Sequence, residues 1–151
     1  VAGAASSGAI LLYTCAYSVA TICAFAIFIL VSEQTGSENF AAFEGLGKRN
    51  PLLAGIMAVA VLSLAGIPPT AGFFGKYFLF VQAFEKYPWL IVVAVLNSAV
   101  SIYYYFRVII SMYFNEPSRE SVVVPSGYRW VIVAGLILIA LICLMPGTIL
   151  A

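Results

Sequence analysis

Four apolar stretches, divided by polar ones, set the pattern of this chain. They run over about residues 10–31, 52–84, 89–114 and 130–149. About 20 apolar residues in helical form cross a bilayer, so the pattern predicts an all-α integral membrane protein, a helical bundle of about four transmembrane spans. Ser32 to Pro51 and Asn115 to Arg129 are polar connections, and Glu85 to Pro88 is a tight one. Within the first connection, Phe40-Ala-Ala-Phe43 suggests a short amphipathic element along the surface, and its mixed charges suit a solvated face.

The second stretch carries a feature the others lack. Gly66-Ile-Pro-Pro-Thr-Ala-Gly-Phe-Phe-Gly-Lys76 lies in its middle. Pro68 and Pro69 donate no backbone hydrogen bond, and Pro69 disfavours the α conformation at Pro68. Gly66, Gly72 and Gly75 permit backbone angles or close approaches that other residues resist. The helix is therefore expected to be discontinuous at residues 66–72. Two separate spans or one interrupted span would fit the stretch. Leu52–Ala65 rises only about 21 Å as helix, short of the ~30 Å hydrocarbon core, and Phe73–Phe84 is shorter still. No charged loop parts the halves, which favours one span made of two half-helices. Lys76 then falls in the first turn of the second half, near a positive helix end that favours the neutral amine.

Broken backbone in a bilayer is tolerated only where protein or a water-filled cavity surrounds it. A lysine at that depth costs on the order of 2.5–3.5 kcal/mol on insertion scales. A broken helix beside a buried ionisable group is a transport signature. Taking a lysine out of water disfavours its charged form, and a charge that depends on surroundings is what a proton relay needs. The competing reading is a proline-kinked helix with a snorkelling lysine, which the distance of Lys76 from either end of its apolar run disfavours.

The other spans read more simply. Ala16, Ala20 and Ala24, four apart, make a small-residue face for packing, with Thr14, Ser18 and Thr21 as a mildly polar stripe beside it. Packing against neighbouring helices is the expected role of that region; lining a polar channel is the alternative. Asn97 and Ser101 share one face of the third span. Arg107 lies about 10 Å inside the end of that span. Snorkelling explains it, with a buried ion pair or a water path as the alternative, so Arg107 is a secondary candidate. Pro125-Ser126-Gly127 reads as a turn before the last span.

Composition narrows the classes. Of 151 residues, 64% are hydrophobic and 9% charged, against roughly 25% charged in a soluble domain. The net charge of +1 gives no sign of a nucleic-acid partner. With no histidine, a His-based metal site or triad is excluded within these residues. Cys15, Cys23 and Cys143 fit no zinc or redox spacing and read as small buried hydrophobes, so no metal is expected. Gly75-Lys76 lacks the spacing of a phosphate loop. Every glutamate lies outside the apolar spans, which leaves Lys76 as the one central ionisable group.

Orientation follows from the loops. With four spans, the connections over 32–51 and 115–129 share a side; they hold Lys48, Arg49, Arg119 and Arg129, against Lys86 alone in the other connection. The positive-inside rule puts the first pair in the cytoplasm and both chain ends on the outer side.

Gly66-Ile-Pro-Pro-Thr-Ala-Gly-Phe-Phe-Gly-Lys-Tyr-Phe-Leu-Phe80 resembles the discontinuous helix of the antiporter-like subunits of respiratory complex I. Leu96-Asn-Ser-Ala-Val-Ser-Ile-Tyr-Tyr-Tyr-Phe-Arg107 resembles the helix that follows it, and both are most similar to the subunit N family of bacterial NADH-quinone oxidoreductase. Thr21-Ile-Cys-Ala-Phe25 departs from the Asn-Leu-Gly-Ala-Phe usual there. The chain begins with Val1 and is expected to be a fragment. The resemblance implies that residues 1–151 are the C-terminal part of one antiporter-like transmembrane domain, helices eleven to fourteen of fourteen. It implies a proton-translocating role beside electron transfer from NADH to quinone, with Lys76 as the proton relay. FMN and iron–sulfur clusters are then expected in partner subunits and no cofactor in this chain. The implied partners are other membrane subunits of complex I, the lipid bilayer, protons and water, in a bacterial inner membrane. The D-type component of multisubunit sodium/proton antiporters, which shares a Gly-x-Pro-Pro…Gly-Lys stretch, is the runner-up; a scaffold without transport is a third reading.

Overall fold

A computed structural model of the chain describes residues 2–117 and 122–144. Arg119, Glu120, Pro146 and the end of the last predicted span lie outside them. Among the described residues there are six α-helices, one 3-10 turn and no strand. The helices are α1 (Ala2–Thr35), α2 (Leu46–Arg49), α3 (Pro51–Ala65), α4 (Ala71–Phe84), α5 (Pro88–Phe114) and α6 (Ser126–Leu144); the 3-10 turn is Phe40–Phe43. Among the described residues, two stretches, Ile10–Thr35 within α1 and the whole of α5, are long and apolar enough to cross a membrane.

The alanine face of α1 organises the bundle. Ala16, Ala20 and Ala24 are all buried. Small residues let helix backbones approach closely where lipid supplies no hydrophobic drive. Ala20 to Val31 pack with Leu53 to Leu64 of α3 and with Ile132 and Ile139 of α6, while Leu12 and Ala16 pack with Ala71 of α4 and Ile142 of α6. At α6 the approach is close enough that a Cβ on Gly135 would overlap the Cys23 sulfur. The packing role expected for the alanine face is what the fold uses it for; of the polar stripe beside it, Thr14 and Ser18 are exposed and Thr21 is half-buried, lining a groove with Tyr17 and Phe25. Of the cysteines expected to be buried, Cys23 is, but Cys15 is exposed. One residue before Ala16 on a helix is a turn of about 100° away from the packed face. The side chain of Cys143 lies outside the described ones.

These contacts also order α3 and α4. The C-terminal half of α1 touches α3 and its N-terminal half touches α4, so the two short helices follow each other along α1, antiparallel to it. They have 15 and 14 residues, or about 22 and 21 Å each, and neither alone covers ~30 Å of hydrocarbon. Together they make one interrupted rod.

The two polar connections meet at one end of the bundle. Lys48 pairs with Glu116 at 3.0 Å. Gln34 exchanges two hydrogen bonds with the backbone of Val123. Asn50 Nδ2 donates to the Val122 carbonyl, and Ser111 Oγ donates to that of Phe40. In the 3-10 turn, Ala42 and Phe43 are buried and Phe40 is exposed, the amphipathic element that its sequence suggests.

One boundary differs from expectation. Ser126 and Gly127 already belong to α6 rather than to a turn. The reason is Pro125, whose carbonyl accepts from Arg129 N–H and opens the helix; proline just outside the first helical turn has its φ set and no donor to lose.

Candidate functional site

The helix break is built from chain chemistry that can be followed atom by atom. Gly66 ends α3 at φ +78°, ψ 42°, the left-handed region that glycine enters without strain. Gly66 N–H donates to Ser63 O at 3.1 Å and Ile67 N–H to Leu62 O at 3.1 Å. That pair of bonds is a Schellman ending, and it satisfies two of the last four carbonyls of α3. Residues 67–70 are non-helical, with a cis Pro68–Pro69 bond. Thr70 starts α4: its Oγ1 accepts from Phe73 N–H at 3.4 Å and donates to Ile67 O at 2.7 Å. The discontinuity expected at 66–72 is present, with its irregular backbone over 66–70; Ala71 and Gly72 are already helical because Thr70 caps them.

Lys76 supplies what the Schellman ending leaves over. Its Nζ donates to Leu64 O at 3.1 Å and to Ala65 O at 3.2 Å. The half-buried lysine thus holds the two remaining carbonyls of α3. This corrects the expected electrostatics. Lys76 is the sixth residue of α4, in its second turn, and its amine rests on the C-terminal, negative end of α3. A cation suits that end, in place of the positive end expected beside it. Its stem lies over Gly66, where a Cβ would come within 2.9 Å of Lys76 Cδ.

The other two glycines serve close approach. A Cβ on Gly72 would overlap the carbonyl oxygen of Ser63, and one on Gly75 would come within 2.9 Å of Tyr13 Cα on α1. Pro68 and Pro69 are exposed.

Lys76 opens on a cleft of about 380 Å³ between α4, α1 and α5. Tyr13 and Tyr17 line it from α1, and Asn97, Ser98, Ser101, Tyr104 and Tyr105 from α5. Ser101 Oγ donates to the backbone carbonyl of Asn97, one turn earlier on the same helix, at 2.9 Å. The shared face of Asn97 and Ser101 is visible in sequence but has no target there; the fold gives it Lys76. Tyr13 and Tyr17 are functional candidates that the sequence reading does not single out. Their spacing of four, on the helix opposite, is the available signal.

Arg107 is elsewhere. It is exposed at the polar end of α5, with its guanidinium 4.8 Å from the centre of the Phe40 ring. Between it and the Lys76 cleft lies a mostly apolar groove lined by Ala24, Phe25, Phe28, Met57, Val61 and Val108, with Tyr17, Thr21, Tyr104 and Tyr105 as its polar side chains. The described residues contain no group of three or more His, Cys, Asp or Glu that could hold a metal.

Residues 1–101 match the family described as NADH:quinone oxidoreductase/Mrp antiporter, TM. The chain belongs to this transmembrane family. It is 46% identical over 118 residues to NADH-quinone oxidoreductase subunit N of Flavobacterium johnsoniae, covering 78% of this chain and 26% of that protein. It is 42% identical over 147 residues to the subunit of the same name from Flavobacterium psychrophilum, covering 96% of this chain and 32% of that one. Among solved structures it is similar to a chain of respiratory complex I from Thermus thermophilus with bound aureothin, at TM-score 0.78 and 32% identity, over 95% of this chain and 33% of that chain. The chain therefore spans about a third or less of the length of these relatives. Like the members of its family, it is a membrane protein.

Proposed function

We propose that this chain is part of a subunit N-type membrane subunit of a bacterial NADH-quinone oxidoreductase, and that Lys76 relays protons in it. Residues 1–151 form the C-terminal part of one antiporter-like domain with four crossings, α3 and α4 counting as one. The proposal rests most on one observation: Lys76 Nζ donates to Leu64 O and Ala65 O at a helix break and faces a cleft with polar lining. The ammonium form is held by the two carbonyls and the end of the α3 dipole. Release of the proton leaves a neutral amine that holds the two carbonyls with weaker, uncharged hydrogen bonds, so water in the cleft can compete for them. A group with two such states, each with its own neighbours, is suited to take a proton from one side and give it to another.

Electron transfer belongs to partner chains in this reading. The described residues offer no ligand set for an iron–sulfur cluster, and the sequence has no phosphate-cradling loop for FMN. No step of the redox chemistry runs through this chain. Its partners are other membrane subunits of the complex, lipid, protons and water. It sits in the bacterial inner membrane, with the connections over 32–51 and 115–129 in the cytoplasm and the opposite end of the bundle toward the outer side.

The family description names an Mrp antiporter as well, and one experiment separates the quinone reductase reading from that of a sodium/proton antiporter. Inverted membrane vesicles carrying the full-length protein in its native complex are given NADH and quinone, or a sodium gradient alone. NADH-driven, quinone-dependent acidification of the lumen that needs this protein is the expected result. Proton movement driven by the sodium gradient, with none on NADH, would overturn the proposal in favour of the antiporter.

A further inference from the structure

We infer that Ser63 is the positioning residue that seats Lys76, through a reciprocal capping of the two half-helices across the break. The inference rests on the proton-relay reading of Lys76. A helix that ends leaves carbonyls without partners, and a helix that begins leaves amides without partners. At this break each half supplies the other. Lys76 of α4 covers the carbonyls of Leu64 and Ala65 in α3. Ser63 of α3, only 2% exposed, covers an amide of α4: its Oγ accepts from Gly72 N–H at 3.2 Å.

The two contacts are tied by helix geometry. Gly72 and Lys76 are four apart, so they lie one above the other on the same face of α4. Ser63 immediately precedes the two residues whose carbonyls Lys76 holds. Fixing Gly72 on Ser63 therefore fixes where Lys76 can reach on α3. The absence of a side chain at Gly72 is part of the same device, since a Cβ there would overlap the Ser63 carbonyl. Without the Ser63 hydroxyl, the Gly72 amide has no acceptor at that point, α4 can turn or slide, and the Lys76 amine leaves its two carbonyls.

Ser63 takes no proton itself, and its test separates position from stability. Ser63→Ala and Ser63→Thr are made in the full-length protein within its complex, each alone and with Lys76→Ala. Assembled amount, quinone reduction and protons moved per NADH are measured in reconstituted vesicles. Ser63→Ala is expected to keep assembly and quinone reduction while lowering protons per NADH about two- to fivefold, the scale of one buried hydrogen bond acting on a seated population. Ser63→Thr, which keeps the acceptor, is expected to restore most of the ratio. In the Lys76→Ala background, Ser63→Ala is expected to change the residual ratio no further. An unchanged ratio in Ser63→Ala, while Lys76→Ala lowers it, would overturn the positioning role and leave the relay standing. A fall of equal proportion with and without Lys76 would also overturn it, because Ser63 would then act without Lys76. A normal ratio in Lys76→Ala would remove the relay reading itself.

Discussion

Two cations lie within the apolar spans of this chain, and the fold treats them differently. Lys76 is half-buried at a helix break, with two backbone carbonyls as its acceptors. Arg107 is exposed near the polar end of α5, over the face of Phe40. Both sit in long apolar runs, and distance from the end of the run separates them only in part. The deciding difference is what the backbone offers. At Lys76 the chain has ended a helix in mid-span and left carbonyls that need a donor. At Arg107 the helix is continuous, its carbonyls are used, and the side chain has only to reach outward. A buried cation becomes a candidate site when the surrounding backbone is arranged to need it.

That comparison can be broken first at the seat of Lys76. Gly72→Ala puts a methyl into the Ser63 carbonyl, backbone against side chain, with no flexible end to give way. Overpacking of this kind costs on the order of 1–3 kcal/mol or more. The amount of assembled protein in the membrane is expected to fall severalfold, read by quantitative blotting. Wild-type assembly would mean that α3 and α4 do not meet as described.

Gly66→Ala is the next test. It places a Cβ at φ +78°, which costs roughly 1–2 kcal/mol for the left-handed conformation. The nearest neighbours of that Cβ are atoms of the flexible Lys76 side chain, so the expected result is a lower melting temperature with assembly retained. No change in melting would argue against the Schellman ending.

Arg107 should show the smallest effect. A cation over an exposed aromatic ring is worth about 0.5–1 kcal/mol, and lysine also reaches an interface. Arg107→Lys is expected to leave assembly and proton movement within about twofold of wild type. A loss of proton movement with normal assembly would give Arg107 a role in the path and erase the contrast with Lys76.

Much of the fold is legible in the sequence, because its causes are local. Apolar length predicts the helices, the alanines of α1 predict a packing face, and Gly66, Pro68 and Pro69 mark the break. The start of α4 falls earlier than Phe73, and Thr70 has the chemistry of an N-cap that says so. Which atoms meet across the break is not legible. Ser63 is one serine in an apolar run, and nothing in its neighbours says that it faces Gly72. The partner of Lys76 is backbone, which leaves no mark in sequence. That is why the dipole end expected beside it is the wrong one. Tyr13 and Tyr17 meet Asn97 and Ser101 only once α1 and α5 stand on either side of α4.

The central claim is that Lys76, and not Arg107, handles the proton. Its most direct test compares protons moved per NADH in reconstituted vesicles carrying the assembled complex with Lys76→Ala, Lys76→Arg or Arg107→Lys. Lys76→Ala is expected to assemble and reduce quinone with a markedly lowered ratio, since water in the cleft can take the two carbonyls that the half-buried amine leaves. Lys76→Arg is expected to be lowered too, because arginine keeps its proton, while Arg107→Lys stays near wild type. A normal ratio in Lys76→Ala would contradict the account and leave Lys76 as a structural cap on a broken helix.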